Sequence, residues 1–241
     1  MLVATIVVAL GLVAGAIGGI VGFGASIILL PVLTIAFGGL QAVPIMAVAA
    51  LMGNLARVLL WWRVIDWRAC GGYAVAAIPA SALGAGTLLA LPPGMVDAAL
   101  GVVFIVMVPL RHALLARNLR IGLRGLVPAG LVVGYVTGVV ASTGPLSVPL
   151  FLAYGLVKGA FIGTEAAASL AMYVTKVAVF GRFGALPPDV LARGVLTGAA
   201  LMAGTYLGKR LLAHLDHRQF HVAADAALLV AGSVMIAAAL R

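Results

Sequence analysis

Two cations in this chain, Arg57 and Lys176, stand inside otherwise apolar stretches, each one turn beyond a polar side chain, Asn54 and Tyr173 respectively. One acid, Glu165, precedes Lys176 by eleven residues, a spacing that returns to the same face of a helix. Two glycine-rich interruptions carry small polar residues: Gly22, Gly24 and Ser26 in the first, and Ser142, Thr143, Gly144 and Ser147 in the second. Cations, hydroxyls and the backbone amides at a helix start all favour negative charge. The set therefore reads as a site for a small oxyanion, with Glu165 as a candidate proton-coupling carboxylate.

Each of these residues also has a plainer account. Arg57 lies five residues before Trp62, about 7.5 Å of helix rise, so its long side chain can snorkel to an interface. An acid near the start of a helix is favoured there by the dipole, which is a sufficient reason for Glu165. Capping and helix packing account for the hydroxyls. His221 and Asp225, four apart, can pair to steady a helix rather than move protons.

The stretch that must position the first interruption is GLVAGAIGGIVGFGASIILLPVL, Gly11 to Leu33, and its pattern returns as GLVVGYVTGVVASTGPLSVPLFL from Gly130 to Leu152. At an offset of 119 residues, Gly11, Gly15 and Gly19 meet Gly130, Gly134 and Gly138, and Arg57 meets Lys176. Glycines four apart lay a smooth strip along one helix face and let another backbone approach closely. Each copy then breaks. Ser26 in the first copy, and Ser142 or Thr143 in the second, suit the cap of a new helix; Pro145 suits its first turn, and Gly38-Gly39 and Gly155 suit the ends. Residues 2 to 37 as continuous helix would measure about 54 Å against a hydrocarbon core of about 30 Å, too long for one span and short for two. Each copy is therefore expected to be a discontinuous helix whose second piece starts at membrane depth with its amides directed inward.

The chain of 241 residues is 64% hydrophobic and 9% charged, with no charged side chain before Arg57, which makes it an all-α polytopic membrane protein. Hydrophobic stretches at 2–37, 42–62, 69–91, 95–110, 125–155, 160–181, 190–212 and 220–240 divide into two homologous halves of about four segments, 1–110 and 125–241, each opening with a glycine-rich element. Between them RHALLARNLRIGLR, Arg111 to Arg124, holds four arginines and no acid, and is expected to be a cytoplasmic joint. Loop charge does not decide whether the halves are parallel or inverted. Letting each glycine-rich element cross, or re-enter on its own side, divides the cations by the same margin.

Several classes are excluded or weakened. Alternating strand patterns are absent, against a barrel. Fifteen Lys plus Arg against six Asp plus Glu is the bias of cationic cytoplasmic loops rather than of a nucleic-acid binder. The start, MLVATIVVALG, lacks a basic n-region and is expected to be retained. Cys70 is the only cysteine, which excludes an intramolecular disulfide and, without nearby His partners, a cysteine metal site; no other metal site and no cofactor is expected. ASTG around Ser142 raises an intramembrane enzyme as the alternative, but the four histidines fall in loops or near a helix end, which leaves no base at depth. A non-transporting membrane subunit is the third option.

GAIGGIVGFGASIILLPVL from Gly15 to Leu33, with its degenerate second copy, resembles the sulfite exporter TauE/SafE family of bacterial membrane permeases, and the similarity of organisation covers the whole chain. This chain has Ala25 after Gly24 where the first motif usually has a third glycine. The resemblance implies transport of small anions, often sulfur oxyanions or sulfonates, across the cytoplasmic membrane, with the lipid bilayer and an anionic substrate as partners.

Overall fold

The computed structural model describes residues 2–21, 25–117, 119–140 and 143–211, and, in the last segment, 225, 226, 229, 230, 232, 233, 236 and 237; every regular element among them is helical. The first glycine-rich stretch forms α1 (Leu2–Val21) and α2 (Ala25–Phe37), and the second forms α6 (Leu123–Val139) and α7 (Gly144–Tyr154). Between them run α3 (Gly39–Trp61), α4 (Trp67–Ala90) and α5 (Pro93–Ala116), and α8 (Lys158–Arg182) and α9 (Pro188–Leu211) follow. With 13 and 11 residues, α2 and α7 measure about 20 and 16 Å and reach only part of the way across a ~30 Å core. Four stretches, Gly39–Val64, Trp67–Ala90, Gly94–Ala116 and Pro188–Gly208, are long and apolar enough to cross it.

Local chemistry sets the helix ends. Gly38 takes φ 75° between α2 and α3, a left-handed turn that a Cβ would strain. Asp66 caps α4, its Oδ1 accepting the backbone N–H groups of Arg68 and Ala69 at 3.0 Å each. Pro145 occupies the first turn of α7, and Gly155, at φ 106°, closes it by donating its N–H to the last carbonyls. Ser26 sits inside α2 rather than at its cap, because the helix already begins at Ala25. Thr143 holds the cap position of α7, but its hydroxyl bonds the Thr137 hydroxyl instead of a first-turn amide. Gly22, Gly24 and Ser142 lie outside the described residues. The basic stretch expected as a loop from Arg111 is helical as far as Ala116, since Arg, Leu and Ala are strong helix formers and no glycine or proline intervenes.

Glycine sets the close approaches, and these reveal the direction of each helix. A Cβ on Gly15 would strike the backbone of Leu201, and one on Gly19 would lie 3.0 Å from the Thr205 carbonyl, so α1 runs parallel to α9. In the same way Gly130, Gly134 and Gly138 rest on Tyr73, Ala77 and Ser81, so α6 runs parallel to α4. From the other side, Gly208 meets the Ala16 carbonyl and Gly84 meets the Tyr135 carbonyl. Gly194 against Val48 and Gly198 against Met52 make α3 parallel to α9. Trp61 against Gly159 and Gly163, with Arg57 beside Glu165, makes α8 antiparallel to α3. Because α8 packs along both α3 and α4, the link at 62–66 turns the chain back. Thus α1, α3 and α9 point one way and α4, α6 and α8 the other, with α2 returning between α1 and α3. Large apolar side chains such as Leu59, Val75, Leu83, Val132 and Val195 are exposed on the outside while small residues fill the seams, the inverse of a water-soluble bundle.

Candidate functional site

The two breaks meet at one small polar cavity. Gly18 of α1, Ala25 and Ser26 of α2, Thr137 of α6, and Thr143 and Gly144 of α7 line it at the breaks. Met46, Ala50, Gly53, Asn54 and Arg57 of α3, Glu165, Ser169 and Tyr173 of α8, and Leu201 of α9 close it. The space open to the centres of water-sized molecules is about 40 Å³. A single water needs roughly 10–15 Å³ by the same measure, so the cavity has room for water or a small polar ligand.

Arg57 faces this cavity and not the interface. It is 12% exposed, its Nη1 lies 3.0 Å from Glu165 Oε2, and its Nη2 donates to Asn54 Oδ1. Asn54 is fixed in turn by its Nδ2 donating to the Ala50 carbonyl at 2.7 Å. Glu165 stands two turns inside α8, too far from its start for the dipole account to apply, and is 3% exposed. Its other oxygen, Oε1, accepts from Ser169 Oγ at 2.9 Å, and Ser147 Oγ lies 3.2 Å from it. The Ser147 hydroxyl is equally 3.2 Å from the Gly144 carbonyl and has one proton to share between them. A buried carboxylate and guanidinium are tolerable here because each is paired and further hydrogen-bonded.

Lys176 is fully buried but does not line the cavity. Its Nζ donates to the carbonyls of Thr137 at 2.6 Å and Val140 at 2.9 Å, with the rings of Tyr173 and Phe180 5.8 and 5.6 Å away. Those carbonyls end α6, where no helical N–H follows to bond them, and the negative end of the helix dipole favours a cation. The two cations at the offset of 119 therefore have different surroundings: Arg57 answers a carboxylate across the cavity, and Lys176 seals a helix end behind it. Glu165 and Lys176 share a helix face in the sequence but do not pair.

The break at α7 offers fewer amides than its sequence suggests. Pro145 has no N–H, and those of Leu146 and Ser147 donate to the Thr143 carbonyl. Polar side chains supply the donors instead. Of the residues singled out by sequence, Ser26, Asn54, Arg57, Thr143, Gly144, Glu165 and Tyr173 line the cavity, and Ser147 touches it through Glu165. Ser169 and Thr137 were not singled out. The first could have been found from its place one turn after Glu165, whereas nothing short of the fold brings Thr137 to Thr143. Asp225 pairs with Arg111 Nη1 at 2.6 Å and His112 Nε2 at 2.8 Å; His221, with which the sequence lets it pair, lies outside the described residues. No histidine is among the described residues that line the cavity.

A family model described as Sulfite exporter TauE/SafE matches residues 7–235 of the chain. No curated protein and no solved structure matches it.

Proposed function

The chain belongs to the sulfite exporter TauE/SafE family, which is a family of transporters, and from that premise we propose that it is a permease exporting small anions, sulfite or related sulfur oxyanions and organosulfonates, across the bacterial cytoplasmic membrane. One observation carries the reading. A small polar cavity lies where two half-length helices begin, and Arg57 is the one cation among its described lining residues. That volume suits a small oxyanion. Ser26, Asn54 and Tyr173, which line the cavity with the guanidinium, bring neutral donor groups to it, as a site that must release its anion requires. A negative-inside potential expels an anion that crosses alone by about 2.3 kcal/mol per net charge per 100 mV; a monoanion that crosses with one proton feels no such push, and its export then follows a higher concentration inside.

The architecture proposed with it is two inverted halves, 1–110 and 125–241, joined through 111–124. It is supported by the paired glycine contacts of α1 on α9 and α6 on α4 and by the opposed directions of α1 and α6. In this arrangement each glycine-rich element returns on its own side and its second piece starts at depth. Sulfite efflux from loaded proteoliposomes tests the function. Arg57→Gln should lower the efflux at least tenfold while the variant still elutes as a folded protein, and Arg57→Lys should lower it less, since a compact cation keeps the charge but loses the fork. Background flux from folded wild type with sulfite, sulfate and methanesulfonate alike would defeat the permease reading.

A further inference from the structure

We propose, resting on the anion-permease reading, that Glu165 and the transported anion compete for Arg57, so that each anion occupies the cavity together with one proton held by Glu165. The guanidinium is already answered: Glu165 Oε2 sits 3.0 Å from Arg57 Nη1, in a cavity with no second described cation on its wall. An anion docking on Nη1 as things stand would place two negative charges on one guanidinium between side chains that are both largely buried. Low local dielectric makes that juxtaposition costly.

A proton on Oε2 removes the conflict. It comes from the aqueous phase to which the cavity is open, breaks the ion pair and frees Nη1, and the new O–H can donate to an oxygen of the anion. The charge in the cavity sums to zero before, with guanidinium and carboxylate, and to zero after, with guanidinium, neutral acid and a monoanion. Oε1 keeps its partner, because the Ser169 hydroxyl donates to a carboxylate and, more weakly, to the carbonyl oxygen of an acid, with the Ser147 hydroxyl 3.2 Å away. The release step reverses this: the anion leaves, the proton leaves, and the Arg57–Glu165 pair closes again.

The charged and titratable groups facing Glu165 are few. Arg57 approaches from α3, Tyr173 lies on α8 itself, and the buried Tyr73 of α4 is near enough to feel its charge. Ser147 of α7 does not titrate. Phenols ordinarily stay neutral between pH 5 and 8, and arginine stays charged. Among the described residues, Lys176 of α8 is a further ionisable side chain, turned away onto the α6 carbonyls.

The measurement is the number of protons moved per anion, read with a pH dye inside voltage-clamped proteoliposomes. The probe is whichever of sulfite, sulfate and methanesulfonate wild type carries, and the readout is the wild-type ratio minus that of Glu165→Gln. A difference of about one is expected, with exchange by the Gln variant flat across pH 5–8 and Glu165→Asp close to wild type. A difference of zero overturns the proposal and points to Lys176 or to uncoupled flux. Should the Gln variant not transport, the wild-type ratio for the fixed-charge probes decides, one supporting and zero overturning. If wild type carries none of the three, the permease reading fails first and this coupling falls with it.

Discussion

At the offset of 119, Arg57 and Lys176 look interchangeable in the sequence, yet their neighbours give them unlike tasks. The Lys176 ammonium satisfies two buried carbonyls at the end of α6, and that end forms one wall of the cavity through Thr137. Replacing it with glutamine leaves at least one of those carbonyls without a strong donor, a loss of roughly 1–3 kcal/mol. For a chain of this size that corresponds to a melting temperature lower by roughly 5 °C. Lys176→Gln should therefore melt earlier in detergent, measured by intrinsic fluorescence, whereas Arg57→Gln should lose flux out of proportion to any change in melting. Equal melting of Lys176→Gln and wild type would remove its role as a seal on α6.

The seams between elements depend on glycine at chosen places rather than on glycine in general. A Cβ on Gly134 would lie 2.6 Å from the Ala77 carbonyl and 2.7 Å from its Cα, so α4 and α6 would have to separate. Backbone cannot give way as a side chain tip does. On α4 itself Gly86 has nothing within 4 Å of such a Cβ. Gly134→Ala is expected to destabilise by about 1–3 kcal/mol through overpacking. Gly86→Ala should be neutral or stabilising by up to ~1 kcal/mol, since alanine is the better helix former. Melting curves of the two variants side by side make the comparison, and similar curves would mean that the α4–α6 seam is looser than the close approach implies.

For the molecule in its membrane, helix directions turn scattered charges into a side. Arg63, Arg68, Arg117, Arg120, Arg124 and Lys158 gather at the end where α3 stops and α8 starts. Arg182 and Arg193 lie at the opposite end, where Arg193 stacks over Phe37 and pairs with Asp189. By the positive-inside bias the Arg63 end is expected to be the cytoplasmic one. In a Cys70→Ala background, cysteine at exposed Phe183 should react with an impermeant maleimide in intact cells and cysteine at exposed Leu119 should not. The reverse pattern would invert the orientation.

The membrane class, the breaks after Val21 and before Gly144, the short α2 and α7, and several of the residues that line the cavity, Ser26, Arg57, Thr143 and Glu165 among them, were legible in residue order. Each depends on local quantities: apolar run length against bilayer thickness, glycine and proline in the turn, charge where charge is rare. The sidedness of the loops was not legible, because crossing and re-entry divide the cations equally and a backbone reversal at a glycine-rich break leaves no mark in hydropathy. Nor were the partners. Glu165 stands eleven residues from Lys176 and 108 from Arg57, and it is Arg57 that it meets, because α8 packs antiparallel to α3 while Lys176 turns to the open end of α6. Spacing along one helix says which residues share a face. Which charge answers which depends on what stands across from that face, and that is a property of helix packing.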